Sequence, residues 1–148
     1  MNNVVVVDTS IVFKWVIDES DSSTALALLT EWISRGLEIH APALIVYEVT
    51  NALHQRVRRG ELSLAEAEKA LAKVENSEIL FHFSQGSTLS SRALVLANYY
   101  NLPATYDAHY LALAEREGCE LWTADMRLWR VIKDKLPWVR WLSDYHPR

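Results

Sequence analysis

VVVVDTS, residues 4–10, is the stretch that decides the fold. Its four β-branched residues form a short, continuous apolar run, which reads as a strand buried on both faces. Asp8, Thr9 and Ser10 then open a helix with Ile11, Val12, Trp15 and Val16 as its apolar residues. A strand of that kind belongs to a parallel sheet covered by helices. An acid placed just after it stands at the carboxyl edge of the sheet, where open α/β folds bind ligands.

Working outward, Asp21-Ser22-Ser23 begins a second helix, with Ala25, Leu28 and Trp32 on its apolar side, that stops near Gly36. Residues 37–40 read as a short strand. Pro42 is expected in the first turn of a long helix running to about Arg59 and ending at Gly60. Ser63-Leu64-Ala65-Glu66 is a capping box, followed by Ala67, Leu71 and Val74, which with Leu64 share one face. Strands are then expected at 78–83, 119–122 and 138–142, with helices from Ser87 to about Tyr100 and over 107–117 and 124–136. Five strands alternating with helices predict an α/β domain with a parallel sheet.

The chain has 148 residues, half of them hydrophobic, which suits one domain spanning 1–148 and excludes a disordered protein. No apolar run is long enough to span a membrane, and no basic segment precedes an apolar one, so no signal peptide is expected. A single cysteine, Cys119, excludes an internal disulfide and a cysteine-based zinc site. A cytoplasmic protein is the expectation. The formal net charge of −4 supplies no global attraction for nucleic acid, so such a partner must be held by local basic residues and bound metal. Four of the six tryptophans (Trp122, Trp129, Trp138 and Trp141) lie toward the C-terminus, where core and interface are both open to them.

Four acids sit in four separate motifs: Asp8 in VVVVDTS, Glu48 in VYEVTNAL, Asp107 in TYDAHYLALA and Asp125 in LWTAD. Two carboxylates about 4 Å apart repel by roughly 4 kcal/mol at an effective dielectric near 20. A cluster of them is kept where a hard divalent cation neutralises it. An all-oxygen set without His or Cys suits Mg²⁺ or Mn²⁺, ions that activate water and offset charge at a phosphodiester. Asn51 lies at i+3 from Glu48 and faces the same cleft, and Gln55 extends that stripe. Ser10 and Thr123 fit as hydroxyl partners, Ser10 for a neighbouring carboxylate or the scissile phosphate and Thr123 for Asp125.

Taken in order, VVVVDTSIVFKW, PALIVYEVTNALHQRVRRGELS and TYDAHYLALAEREGCELWTAD resemble the PIN-domain family, specifically its VapC-type toxins of toxin–antitoxin pairs. Each motif alone is weakly specific; the order Asp, Glu, Asp, Asp with YDAxYLALA and TAD is highly specific. The resemblance implies a three-layer α/β/α sandwich around a mainly parallel five-stranded sheet. It implies a Mg²⁺- or Mn²⁺-dependent endoribonuclease acting on RNA, often tRNA or rRNA. It also implies a homodimer and a small VapB-like antitoxin. Carried onto this chain, Asp8, Glu48, Asp107 and Asp125 form the catalytic and metal-binding set, with Ser10, Asn51 and Thr123 supporting them.

Blander readings stand beside these. Asp8, Asp107 and Asp125 each suit a helix N-cap. Arg56, Arg58 and Arg59 either contact phosphates or complement the negative end of their helix. Lys14, Arg127 and Arg130 are weaker candidates for RNA contact. His109 reads as a packed or surface histidine, Cys119 as a buried strand residue, and Asp18, Glu19 and Asp21 as a solvated turn and cap. Rival functions are a PIN nuclease acting on DNA, a catalytically idle PIN binding module, and a phosphatase or receiver domain. A HAD-type phosphatase needs a second Asp where this chain has Ser10, and a receiver needs paired acids that are absent here.

Overall fold

The computed structural model describes residues 2–84 and 89–147. Strands β1 (Val4–Val7), β2 (Glu38–Pro42), β3 (Leu80–His82), β4 (Glu120–Thr123) and β5 (Val139–Trp141) form one sheet in the order β3-β2-β1-β4-β5. All four neighbouring pairs are parallel. β1 is central, and Val5, Val6 and Val7 are buried on both faces, as a four-residue apolar run requires.

The chain builds outward from β1 to β2 and β3, then crosses back to β4 and β5. The order therefore reverses between β1 and β4, which opens a crevice beyond their carboxyl ends. Helix α6 (Tyr106–Glu117) lies across β1, β2 and β4, with α5 (Leu89–Tyr99) packed on it. Six residues of α6, Ala108 and Tyr110 to Ala114, are buried, so it is a core helix with little amphipathic character. Helix α1 (Thr9–Val16) packs on β4, α2 (Ser22–Ser34), α3 (Leu44–Arg58) and α4 (Leu64–Glu75). The result is the expected α/β sandwich. No helix among the described residues is long and apolar enough to cross a membrane.

Several local expectations change. Pro42 ends β2 instead of opening a helix, because β3 pairs with the strand as far as Pro42 and His82; α3 begins at Leu44. The last long helix is shorter, α7 (Met126–Ile132), and begins where Asp125 caps it. Cys119 precedes β4 and is half-buried. Burial pushes its thiol up to about 11, which makes it a poor nucleophile. On α4 the buried face is Ala67, Ala70 and Val74, while Leu64 is exposed. The capping box is present: Ser63 Oγ accepts from Glu66 N at 3.0 Å and Glu66 Oε1 from Ser63 N at 3.1 Å. The expected helix start at Ser87 lies outside the described residues.

Candidate active site

Each acid is delivered to the crevice by a different element. Asp8 follows β1 and is the N-cap of α1, its Oδ1 accepting from Ile11 N at 3.3 Å. Asp125 follows β4 and caps α7, accepting from Arg127 N at 2.9 Å. Asp107 lies in the first turn of α6. Glu48 projects from the second turn of α3. The capping reading holds for Asp8 and Asp125 but not for Asp107, whose helix has Thr105 at its N-cap; the two caps lock their carboxylates in place, and the helix N-termini put partial positive charge beside them.

Asp8 is the deepest, only 4% exposed. Ser10 Oγ donates to its Oδ1 and Thr123 Oγ1 to its Oδ2. Both hydroxyls are themselves held, Ser10 Oγ by Ala124 N at 2.8 Å and Thr123 Oγ1 by Asp125 N at 3.0 Å. Ser10 therefore serves the carboxylate, not a free position above it. Thr123 orients the side chain of Asp8 and only the backbone of Asp125, which corrects the expectation that it orients the Asp125 carboxylate.

Burial raises the Asp8 carboxyl to about 7, against the lowering by its two hydroxyl donors, and Asp107 and Asp125 add to the rise. Asp107 is raised to about 6, by burial first, then by Asp125 and Glu48, with Arg127 opposing. The four acids thus feel one another. They do not close into a tight cage: among the described residues, no three of them bring carboxylate oxygens within 4.8 Å of one another. The donor set, four carboxylates with no nitrogen or sulfur, fits Mg²⁺ or Mn²⁺. Mg²⁺ keeps several of its waters and takes one or two carboxylates directly, so an open ring of oxygens suits it.

Glu48 has partners that sequence reasoning missed. Thr9 Oγ1 donates to Glu48 Oε1 at 3.1 Å, and the hydroxyl of Tyr110 donates to the same oxygen. Thr9 Oγ1 and the Tyr110 hydroxyl are 3.0 Å apart. Tyr110 is buried in the core helix, and burial and Glu48 hold its phenol well above the ordinary value, so it stays a donor. The available signal was spacing: Tyr110 is one turn from Asp107, and Thr9 is next to Asp8. Replacing Tyr110 with Phe is expected to cost about 1.5–3 kcal/mol in urea unfolding, as a bond to a charged group is lost. The same change should weaken divalent-ion affinity about tenfold or more by calorimetry, as loss of a ligand's supporting bond does.

Beside the acids lies a cleft of about 540 Å³ lined by Thr9, Ser10, Glu48, Asn51, Gln55 and Asp125 together with Lys14, Glu19, Arg56 and Arg59. Asn51 shares this wall with Glu48, as expected, but makes no side-chain hydrogen bond among the described residues. Of the six basic residues considered for RNA contact, Lys14, Arg56 and Arg59 line this cleft, yet they are already paired. Glu19 holds Lys14 at 3.4 Å and also binds Arg56. Glu61 holds Arg56 at 3.3 Å and Arg59 at 3.0 Å. Glu19 is accordingly part of the cleft wall, not the solvated turn residue expected. Arg127 is apart from them, with its side chain 95% exposed and its Nε 3.9 Å from Asp125 Oδ1. His109 is packed, between Ser90 Oγ at 3.0 Å and the Thr105 carbonyl at 2.7 Å.

Comparison with known proteins bears on the family and the fold. The family model of the PIN domain matches residues 5–134. Ribonuclease VapC3 of Pyrobaculum aerophilum is 34% identical over 128 residues, covering 83% of this chain and 90% of that protein. Ribonuclease VapC9 of Mycobacterium tuberculosis is 35% identical over 113 residues, covering 73% of this chain and 85% of that protein. The crystal structure of PAE2754 from Pyrobaculum aerophilum superposes with a TM-score of 0.65 at 27% identity, over 87% of this chain and 79% of that one. With strand-end acids, sheet order and sequence in agreement, the chain belongs to the PIN-domain family, among the VapC ribonucleases.

Proposed function

We propose that this chain is a divalent-metal-dependent endoribonuclease that hydrolyses RNA phosphodiester bonds as the toxin of a toxin–antitoxin pair. The observation that carries the reading is the gathering of Asp8, Asp107, Asp125 and Glu48 at the sheet's switch point, where burial first and the neighbouring acids second raise Asp8 to about 7 and Asp107 to about 6. Such a site is short of positive charge, and a phosphodiester cannot approach it until that charge is supplied. Asp8, Glu48, Asp107 and Asp125 would hold Mg²⁺ or Mn²⁺. When bound, the ion supplies a water of lowered pKa and charge against the phosphoryl oxygens.

The chain's own residues do the rest. Ser10 and Thr123 fix both oxygens of Asp8, so its lone pairs keep one direction. Tyr110 and Thr9 do the same for Glu48. The cleft beside Glu48 takes the strand, with Lys14, Arg56, Arg59 and Arg127 as phosphate contacts. Replacing Glu19 with Gln unpairs Lys14 and removes one of the two carboxylate partners of Arg56, leaving Glu61. It is expected to tighten single-stranded RNA binding about two- to threefold and to steepen the salt dependence of log K by up to about 0.7 per freed charge. Titrations at several salt concentrations check this.

The protein partners in this reading are a VapB-like antitoxin and a second copy of the chain. The family resemblance supports both, and exposed Tyr47, Val95 and Tyr99 offer apolar surface for such contacts. The test is expression in cells followed by mapping of RNA 5′ ends, comparing wild type with Asp107→Ala. New 5′-phosphate ends at defined positions, absent in the variant, are expected. Identical end maps would leave an idle binding module as the better reading, and cleavage confined to DNA would change the substrate.

A further inference from the structure

A second ligand cluster lies well away from the acids. His40 of β2, His82 of β3 and Glu117 at the end of α6 bring one ligand atom each to within 4.8 Å of one another. Asp107 opens the helix that Glu117 closes, ten residues later, so the cluster sits about 15 Å along the helix axis from the acid site.

The register places it. Pro42 is opposite His82 and His40 opposite Leu80 on adjacent parallel strands. His40 is two residues before Pro42, so His40 and His82 share one face of the sheet. Their rings stack at 4.8 Å between centroids and 28° between planes. His40 Nδ1 is 2.7 Å from His82 Nε2. On its other side His40 Nε2 is 2.9 Å from Glu38 Oε2. A proton on Nε2 donates to that carboxylate and leaves Nδ1 as the bare nitrogen, turned toward His82. Carboxylates commonly fix the tautomer of metal-binding histidines in this way.

We propose that His40, His82 and Glu117 form a separate site for a zinc-type transition ion. Two imidazole nitrogens and one carboxylate are a zinc donor set with a fourth position left open. They are a poor set for Mg²⁺, which favours oxygen. The chain would then carry two cation sites of different chemistry. The first is the all-oxygen crevice; the second is a nitrogen-rich clip joining the edge strand β3 to the end of α6.

Binding asks for two small movements. Around a tetrahedral ion with bonds of about 2.0–2.1 Å, the two nitrogens stand about 3.3 Å apart, so the present hydrogen bond must open by about 0.6 Å. His82 is on a three-residue edge strand and only partly buried, so it can give. An ion on His82 Nε2 also puts that ring's proton on Nδ1, where Arg116 Nη2 now donates at 3.0 Å. The Arg116 side chain is 40% exposed and can turn to solvent.

The experiment uses the full chain in excess Mg²⁺, which occupies the oxygen site. Zn²⁺ uptake is measured by equilibrium dialysis, and Co²⁺ is followed by its visible absorption. One tightly held Zn²⁺ and an intense tetrahedral-type Co²⁺ band are expected. Saturating zinc should raise Tm by roughly 5–10 °C. His82→Ala and the conservative Glu117→Gln should each weaken Zn²⁺ binding at least about tenfold and reduce the Co²⁺ band, whereas Asp8→Asn should leave both unchanged. No zinc uptake in excess Mg²⁺, uptake that survives both His82→Ala and Glu117→Gln, or uptake lost in Asp8→Asn would overturn the proposal. The last outcome would assign the zinc to the acids, and the others would leave the two histidines as a hydrogen-bonded pair.

Discussion

Asp8→Asn is expected to slow RNA cleavage by about a thousandfold while raising the melting temperature of the metal-free protein. The loss follows from removing the charge of the deepest acid; several kcal/mol of transition-state charge stabilisation corresponds to about that factor. The gain follows from burial. Asp8 has a folded pKa of about 7 against an ordinary 3.8. Between those values the folded chain keeps a proton that the unfolded chain has released. Stability therefore falls as pH rises from about 4 to about 7, by at most about 4 kcal/mol for this residue, and then levels off. Asparagine carries no such charge and nearly the same shape, and the Thr123 hydroxyl can rotate to accept from it. In EDTA at pH 8 the variant should melt about 5–10 °C above wild type, and at pH 4 the difference should vanish. Thermal scans at both pH values, paired with cleavage assays, check the two effects together. A variant that loses activity and also melts lower at pH 8 would show that Asp8 is structural.

Removing the divalent ion is expected to abolish cleavage, by about a thousandfold or more, and excess Mg²⁺ or Mn²⁺ should restore it. Because the ion needs deprotonated ligands, its affinity should fall as pH drops through the raised values of Asp8, about 7, and Asp107, about 6. The decline should approach tenfold per pH unit for each carboxyl that must lose a proton. Above pH 7 affinity and rate should plateau. At an ion concentration about 100 times Kd, folding stability should rise by about 2.7 kcal/mol. That gain should be larger at pH 8 than at pH 5.5, the reverse of the metal-free trend. Calorimetric titrations across this range check the affinity, and melting curves with and without Mg²⁺ check the linkage. Full cutting in EDTA by pure protein would sink the metal-dependent reading.

The apparent conflict between capping and catalysis has a simple resolution. Asp8 and Asp125 each end a strand and start a helix, so one side chain both caps the helix and faces the crevice. The basic wall shows the opposite economy. Lys14, Arg56 and Arg59 face the cleft, but Glu19 and Glu61 already neutralise them. An RNA backbone would have to compete with these two carboxylates for the same basic side chains.

The architecture was legible in the chain's local pattern, and so was the placement of Asp8 and Asp125 at strand ends. VVVV reads as a strand buried on both faces because it is short, continuous and β-branched, and the alternation of apolar runs with helical periods makes an α/β sheet the consistent reading. The capping box at Ser63 and the turn at Gly118 were legible because they depend on neighbours in the chain. What the tertiary structure decided was every relation between residues far apart in sequence. Pro42 is a strand end because β3 pairs with it. Thr123 serves Asp8, 115 residues away, and Tyr110 serves Glu48, 62 residues away. Glu19 binds Arg56 across 37 residues, and His40 meets His82 across 42. Local pattern reports which face a residue takes within its own element. The partner it meets there is set by sheet order and helix packing, because hydrogen bonds and ion pairs act over a few ångströms of space and are indifferent to separation along the chain.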